Sequence, residues 1–344
     1  MAKVTVQPSG QTFEVGEGEA VLTAALRQGV MLPYGCKNGA CGSCKGKILA
    51  GGVDYGHYHA RVLTEAERAH GKALFCQARP LGDLVIECRT IGAAKDIAVR
   101  VLPCRVQRLE RAADDVMILG LKLPANERLQ FLAGQYIDFL LKGGERRSFS
   151  MANAPHADEL IELHVRQVAG GSFTEHVFSK MKERDILRLE GPLGSFFLRE
   201  ESAKPIVFVA SGTGFAPIKS ILETAFHRHV KRPMALYWGA RRPKDLYLHS
   251  LPEKWAREHA HFKYVPVISE ARAEDGWSGR AGFVHRAVME DLPDLSQHQV
   301  YACGVPVMVD SARRDFTTLC GLPEDEFYAD SFTTQADLAS DELR

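Results

Sequence analysis

The sequence predicts a multidomain protein of α+β and α/β type. It reads as a small β-rich module, then an antiparallel β-barrel, then a doubly wound parallel-sheet domain. Three observations predict this. Cys36, Cys41, Cys44 and Cys76 crowd into the first ninety residues. From Val101 to Leu189 short alternating strands are separated by turns, as in a barrel or sandwich. Ile206-Val207-Phe208-Val209-Ala210 is apolar without alternation, as in a strand buried on both faces of a parallel sheet. The length of 344 residues fits two or three domains of ~150 residues. Lys+Arg and Asp+Glu are 43 each, and a chain without basic excess is a poor nucleic-acid binder. No apolar run approaches the ~20 residues of a membrane span, and the opening MAKVTVQPSG lacks a signal core. The expectation is a cytoplasmic protein without a membrane or nucleic-acid partner. Its eight cysteines should then be reduced, so their clustering points to metal or catalysis.

The first part is expected over residues 1–92. Lys3–Val6 and Gln11–Val15 alternate around the turn Pro8-Ser9-Gly10 and predict a hairpin. Ala20–Gln28 reads as a helix capped by Gly29. Residues 33–44 are too rich in glycine for helix or strand. Lys45–Leu49 and Leu84–Cys88 read as strands, and Thr64-x-x-Glu67 as a capping box.

Residues 93–100 look like a linker, with small residues and no pattern. The barrel is expected over 101–202, with strands at Val116–Leu121, Gln135–Leu141, Leu160–Val165 and Ile186–Leu189. The α/β domain is expected over 203–332. After its first strand comes a helix with Ile218, Ile221, Leu222 and Ala225 on one face. Further strands fall at Ala235–Trp238, Tyr264–Ile268 and Val300–Cys303. Residues 333–344 are polar and aperiodic, a disordered tail by composition.

Cys36-x4-Cys41-x2-Cys44 with a distant Cys76 is the ligand spacing of plant-type [2Fe–2S] sites. Four thiolates must surround two irons and two sulfides, and Gly35, Gly39, Ala40, Gly42 and Ser43 let the backbone approach. Structural zinc sites use two C-x2–4-C pairs, and Cys76 has no such partner. His57 and His59 lie where a Rieske centre would need them, but all four cysteines are present; both histidines are expected on a surface loop. Cys88 and Cys104 are expected to be small buried residues. On these residues the first ~90 positions resemble the plant-type ferredoxin family, which implies a β-grasp module carrying a [2Fe–2S] cluster on Cys36, Cys41, Cys44 and Cys76.

Arg147-Ser148-Phe149-Ser150 closes a barrel strand, and Gly170-Gly171-Ser172-Phe173-Thr174 leads into a helix over Glu175–Lys180. A guanidinium, an aromatic ring and hydroxyls suit a flavin, and a helix start suits its phosphates. Ser211-Gly212-Thr213-Gly214-Phe215-Ala216-Pro217 is neither a Walker A loop nor the three-glycine Rossmann fingerprint. It still lets backbone approach a pyrophosphate, with Pro217 in the first helical turn. Together with Tyr301-Ala302-Cys303-Gly304-Val305-Pro306, these stretches resemble the ferredoxin–NADP reductase superfamily. The resemblance implies a six-stranded antiparallel barrel that binds FAD and a doubly wound domain that binds NAD(P)H. It places Arg147 on the FAD phosphates, Phe149 on the isoalloxazine, Ser150 near N5, and Phe332 on the other flavin face. Phe149 stands where tyrosine is commoner, so a phenol hydroxyl is missing. His164, Val165 and the Gly171–Thr174 turn are further flavin contacts by the same resemblance. Gly212, Thr213, Gly214 and Pro217 would hold the dinucleotide. Cys303 would position hydride transfer between nicotinamide C4 and flavin N5, with Gly304 beside it.

After Ser269 the superfamily's NADPH users carry a basic residue, and this chain has Glu270. A carboxylate repels a 2′-phosphate and accepts from ribose hydroxyls, so NADH is favoured; Arg241 and Arg242 count against this. Residues 1–332 resemble most the CDP-6-deoxy-Δ3,4-glucoseen reductases of that superfamily. The matching stretches are Leu132–Ile137, Ile161–Arg166, Ala281–Leu295, Tyr301–Gly304 and Tyr328–Phe332. The resemblance implies a path from NADH through FAD and the cluster to an external acceptor protein, a dehydrase or oxygenase component, docking at the ferredoxin module. Reductases of phenol hydroxylases and ring-hydroxylating dioxygenases share the domain order and remain the alternative. A redox-sensing or binding module without turnover is the alternative of another class, and NADH-dependent dye reduction separates the two. Residues 1–92 hold ten Lys/Arg and eight Asp/Glu, a net of +2, where plant-type ferredoxins are usually acidic. Lys37, Lys45 and Lys47 surround the cysteine loop, which suggests an acidic or neutral patch on the acceptor.

Overall fold

The structure, a computed structural model, describes residues 1–92 and 97–333. The expected linker falls partly, and the expected tail almost wholly, outside them. Two compact units form: one over Met1–Ala98 that also takes in the chain from Asp330, the other over Val99–Ala329.

The first unit contains β1 (Ala2–Gln7), β2 (Thr12–Val15), α1 (Val21–Arg27), β3 (Lys45–Ala50), β4 (Val53–Asp54), α2 (Glu65–Ala69), β5 (Lys72–Leu74), β6 (Arg79–Pro80) and β7 (Leu84–Glu87). Its main sheet has the order β2-β1-β7-β3-β5. β1 and β2 form the expected antiparallel hairpin, while β1 and β7 run parallel. Alternation puts Val4, Val6, Phe13 and Val15 inside. There they meet α1, which buries Val21, Leu22, Ala24 and Ala25. The α1 helix stops where Gly29 takes φ 76°, a conformation that glycine adopts without strain. The capping box forms at α2: Thr64 accepts from Glu67 N, and Glu67 accepts from Thr64 N. His57 is exposed as expected, but His59 is not. It is fully buried, its backbone N–H bonded to Gly39 O on the cysteine loop. Closure of that loop over the 57–59 segment, a long-range contact, overrides the local polarity that suggested exposure.

In the second unit, β8 (Arg100–Ala113), β9 (Val116–Lys122), β10 (Tyr136–Leu140), β11 (Arg146–Ser150), β12 (Ile161–Arg166) and β13 (Ile186–Leu193) make an antiparallel sheet. Its order is β11-β10-β13-β8-β9-β12. A bridge between Met151 and Leu163 brings its two edges together. Leu102, Val106, Leu119, Ile137, Phe139 and Leu163 fill the interior, and α3 (Ser172–Ser179) adds Phe173 and Val177. Cys104 is buried here, as Cys88 is in the first unit.

The remaining elements are β14 (Ile206–Ser211), α4 (Phe215–His227), β15 (Met234–Ala240), α5 (Ser250–Glu258), β16 (Phe262–Ile268), β17 (Arg280–Ala281), α6 (Val284–Asp291), β18 (Gln299–Gly304), α7 (Pro306–Leu319) and β19 (Phe327–Ser331). The sheet order is β17-β16-β15-β14-β18-β19, with β14 to β18 paired in parallel. Ile206–Ala210 are all buried, as the unbroken apolar run requires. Strand order reverses at β14, so the crevice beyond the carboxyl ends of β14 and β18 is where such sheets bind ligands. Among the described residues no helix is long and apolar enough to cross a membrane.

Candidate functional site

The cysteine loop, between α1 and β3, has no regular structure. Cys41, Cys44 and Cys76 are buried and Cys36 is partly so. The thiols stand in two hydrogen-bonded pairs, Cys36 with Cys41 and Cys44 with Cys76. In each pair the partner thiol and burial push Cys36 and Cys44 well above the ordinary thiol range. The hydrogen bond from Cys36 draws Cys41 down to about 6. A bound cation would displace the protons that Cys36 and Cys44 keep. Cys36 N–H points at Cys41 Sγ (3.4 Å). A side chain on Gly35 would stand 3.3 Å from Cys41 Sγ and from Asp330 Oδ1. Among the described residues no three His, Cys, Asp or Glu side chains converge on a point for one ion. The two thiol pairs also interact with each other, so the four sulfurs stand together as a set of cluster ligands requires. Lys45 Nζ is bound to Glu67 Oε1 at 2.7 Å, so its charge is locally offset. Lys37 is exposed, its ammonium 5.1 Å from the centre of the Tyr34 ring.

The expected flavin residues lie along β11, β12 and the start of α3. Pairing with β10 sets Phe149 opposite Ile137 and Ser150 opposite Tyr136. Phe149 packs on Phe139 and Phe173 (5.8 and 5.5 Å between centroids). Arg147 donates to Glu145 Oε2 and Arg146 O (2.9 and 2.8 Å). Ser148 donates to Asp138 Oδ1 at 2.6 Å, and Ser150 is buried. Val165 and Phe173 turn their side chains into the apolar core. The Thr174 hydroxyl bonds the Val168 and Gly171 backbone, holding the turn before α3. Gly171 is required there, because a Cβ would meet Thr174 Oγ1 at 2.7 Å. Ser172 is exposed at the helix start. Both ring nitrogens of His164 are engaged, by Tyr247 and Glu162.

The loop expected to hold the dinucleotide sits at the crevice. Gly212 has φ 54°, and Gly212–Gly214 form one tight turn before α4, with Pro217 in its first turn. A Cβ on Gly214 would strike the Cys303 carbonyl. The two strand ends therefore touch backbone to backbone, and Ser211 Oγ accepts from Val305 N (3.0 Å). Cys303 is fully buried and Gly304 follows at φ 142°. Sequence reasoning missed Arg166, whose guanidinium occupies the space a Cβ on Gly212 would take. It also missed Trp238, whose Nε1–H donates to Gly212 O (3.0 Å). Glu270 and Arg241 are exposed and adjacent, Glu270 N–H donating to Arg241 O (2.9 Å). Arg242 is clamped by Asp275 at 2.7 and 2.5 Å and reaches Glu274 at 3.4 Å. Phe332 follows β19 and is half-buried. A cradle of small residues backed by arginine fits a dinucleotide, and a cationic strand end beside aromatic rings fits a flavin.

This fold and site define an NAD(P)H-dependent iron–sulfur flavoprotein reductase. Residues 4–81 match the 2Fe-2S iron-sulfur cluster binding domain, 103–198 the oxidoreductase FAD-binding domain and 208–314 the oxidoreductase NAD-binding domain. The chain is 41% identical over 329 residues to a CDP-6-deoxy-L-threo-D-glycero-4-hexulose-3-dehydrase reductase of Yersinia pseudotuberculosis, covering 96% of this chain and 98% of that one. It is 36% identical to the reductase component of phenol 2-monooxygenase from Pseudomonas sp. (strain CF600), over 99% and 97% of the two chains. The crystal structure of an Amycolatopsis cytochrome P450 reductase superposes with a TM-score of 0.76 at 35% identity, covering 97% of this chain and 99% of that one. The chain belongs to the ferredoxin–NADP reductase family whose members carry a [2Fe–2S] ferredoxin domain. Its cofactors are a [2Fe–2S] cluster, FAD and NAD(H).

Proposed function

We propose that this chain takes electrons from NADH and delivers them to an external acceptor protein docking at its ferredoxin module, the acceptor being a sugar dehydrase. Cys36, Cys41, Cys44 and Cys76 would hold the cluster, and the β11–β12 region the flavin. When bound, the flavin takes up the two electrons of a hydride and the cluster relays them one at a time. The observation that carries the reading is the backbone contact between Gly214 and Cys303. It sets the dinucleotide turn against a fully buried thiol at the switch point of the sheet. Cys303 and Ser150 would then shape the space where nicotinamide meets flavin and keep water out of it. The dehydrase is favoured by the 41% identity to the Yersinia reductase; the similarity to the phenol 2-monooxygenase component supports an oxygenase as second reading. Anaerobic titration with NADH should bleach both flavin and cluster. Bleaching of neither would overturn electron transfer in favour of a binding or sensing role. Reduction of a purified oxygenase component, but not of a dehydrase, would select the second reading.

The NADH preference rests on Glu270, supported by the clamping of Arg242 on Asp275 and Glu274. That clamp occupies one of the two arginines otherwise available to a 2′-phosphate. Glu270→Lys is expected to raise the ratio of kcat/KM for NADPH over NADH by about tenfold, since it replaces a repulsive group with an attractive one. An unchanged ratio in steady-state assays would remove Glu270 from cofactor selection.

Docking is narrowed by the pairing of Lys45 with Glu67. Lys37, exposed on the cluster loop, is the stronger candidate for meeting an acidic partner. Lys37→Glu is expected to slow acceptor reduction about three- to tenfold at low ionic strength, with the deficit fading toward 0.5 M salt as screening shortens its reach. A deficit independent of salt would exclude electrostatic docking there.

A further inference from the structure

A ring of contacts in the second unit joins strand β12 to the dinucleotide turn. Tyr247, between β15 and α5, lies 2.8 Å by its hydroxyl from His164 Nδ1. His164 Nε2 lies 3.1 Å from Glu162 Oε1. Glu162 is held ionised: burial opposes its charge, but His164 and Lys219 outweigh burial and keep its carboxyl far below the usual range. Burial lowers the His164 pKa and so favours its neutral form. The ionised carboxylate must accept, so Nε2 carries the proton and Nδ1 accepts from the tyrosine hydroxyl. The Tyr247 ring then stands edge-on to Trp238 (5.3 Å, 89°), and Trp238 donates to Gly212 O. From Gly212 the chain runs through the turn into α4. There Lys219, buried, returns to Glu162 Oε1 at 3.2 Å. Arg108 on β8 closes on the other oxygen of Glu162 at 2.7 Å.

We propose that Tyr247 is a positioning residue for hydride transfer, its bond to His164 fixing β12 against the Gly212–Gly214 turn. The inference rests on the reading that nicotinamide and flavin meet beside Cys303. A fixed frame matters because displacement by about 1 Å costs on the order of a hundredfold in a positioned reaction. Tyr247 touches the frame and acts through it. His164, with both nitrogens spent inside the ring, serves the frame as well.

The test uses the full holoprotein and Tyr247→Phe, which keeps the ring and deletes the bond. Stopped-flow reduction with NADH should show a limiting rate about tenfold lower, a dissociation constant for NADH within twofold of wild type, and equal FAD content. The long-wavelength charge-transfer band formed with NAD⁺ on the reduced protein should weaken or shift. His164→Ala should match Tyr247→Phe, and the double variant should be no slower than either. His164→Asn, which sets an oxygen near the place of Nδ1, should recover most of the rate. An unchanged limiting rate and band, additive losses in the double variant, or an effect confined to FAD content or NADH affinity would each overturn the proposal. Failure of the wild-type flavin to bleach would instead overturn the reading beneath it.

Discussion

Cys76→Ala should leave a protein that still bleaches its flavin with NADH but holds less than about a tenth of its iron and reduces an external acceptor at least a hundredfold more slowly. The expectation follows from the pairing of the thiols. Cys76 is the partner of Cys44, and it comes from the segment between β5 and β6, more than thirty residues from the cysteine loop. Removing it would leave three of the four proposed ligands, all from one loop. The buried Cys44 then faces a void rather than a partner. Iron analysis, the visible absorbance of the cluster and the electron paramagnetic resonance of the reduced protein read the outcome. Flavin bleaching separates loss of the cluster from loss of the fold. Full iron content with an unaltered resonance would remove Cys76 from the ligand set.

Gly214→Ala should have the second largest effect. The added methyl has no space on the Cys303 side, where both Cys303 O and Gly304 Cα, the latter at 2.8 Å, already fill it. These are backbone atoms on a central strand paired with β14, so relief requires the two strand ends to part. Overpacking of this kind costs about 1–3 kcal/mol of stability. Displacing the turn by about an ångström should lower the rate of flavin reduction by NADH by about a hundredfold. Thermal unfolding and stopped-flow absorbance measure the two quantities. A normal rate in a folded variant would mean that the turn and Cys303 need not be in contact for hydride transfer.

Local chemistry made much of the architecture legible. The alternation in β1 and β2, the unbroken apolar run of β14, the Gly29 cap and the Thr64–Glu67 box are each written in neighbouring residues and each formed. The long strand β8 was less visible, because Arg100–Ala113 carries charges along a mostly exposed face. What stayed illegible depends on contacts across the chain. His59 looked like a loop histidine until Gly39 closed over it. Lys45 looked free until Glu67, 22 residues on, took its ammonium. Tyr247 and His164 stand 83 residues apart, and no motif marks that distance. The site residues proposed from resemblance lie on the elements expected of them. Yet Val165 and Phe173 point into the core and Thr174 serves its own turn, roles that a motif does not distinguish from ligand contact.

Three cysteines with no proposed role in cluster or hydride transfer have a consequence for life in air. Cys88, Cys104 and Cys320 are all buried, and burial raises Cys88 and Cys104 to about 12 and lifts Cys320 as well. At neutral pH a thiol of that acidity is ionised about once in a hundred thousand molecules, and oxidants attack the ionised form. Reduced flavins yield peroxide whenever oxygen reaches them. A reductase waiting for its acceptor therefore sits beside its own source of damage, with these spare sulfurs kept chemically dull by burial.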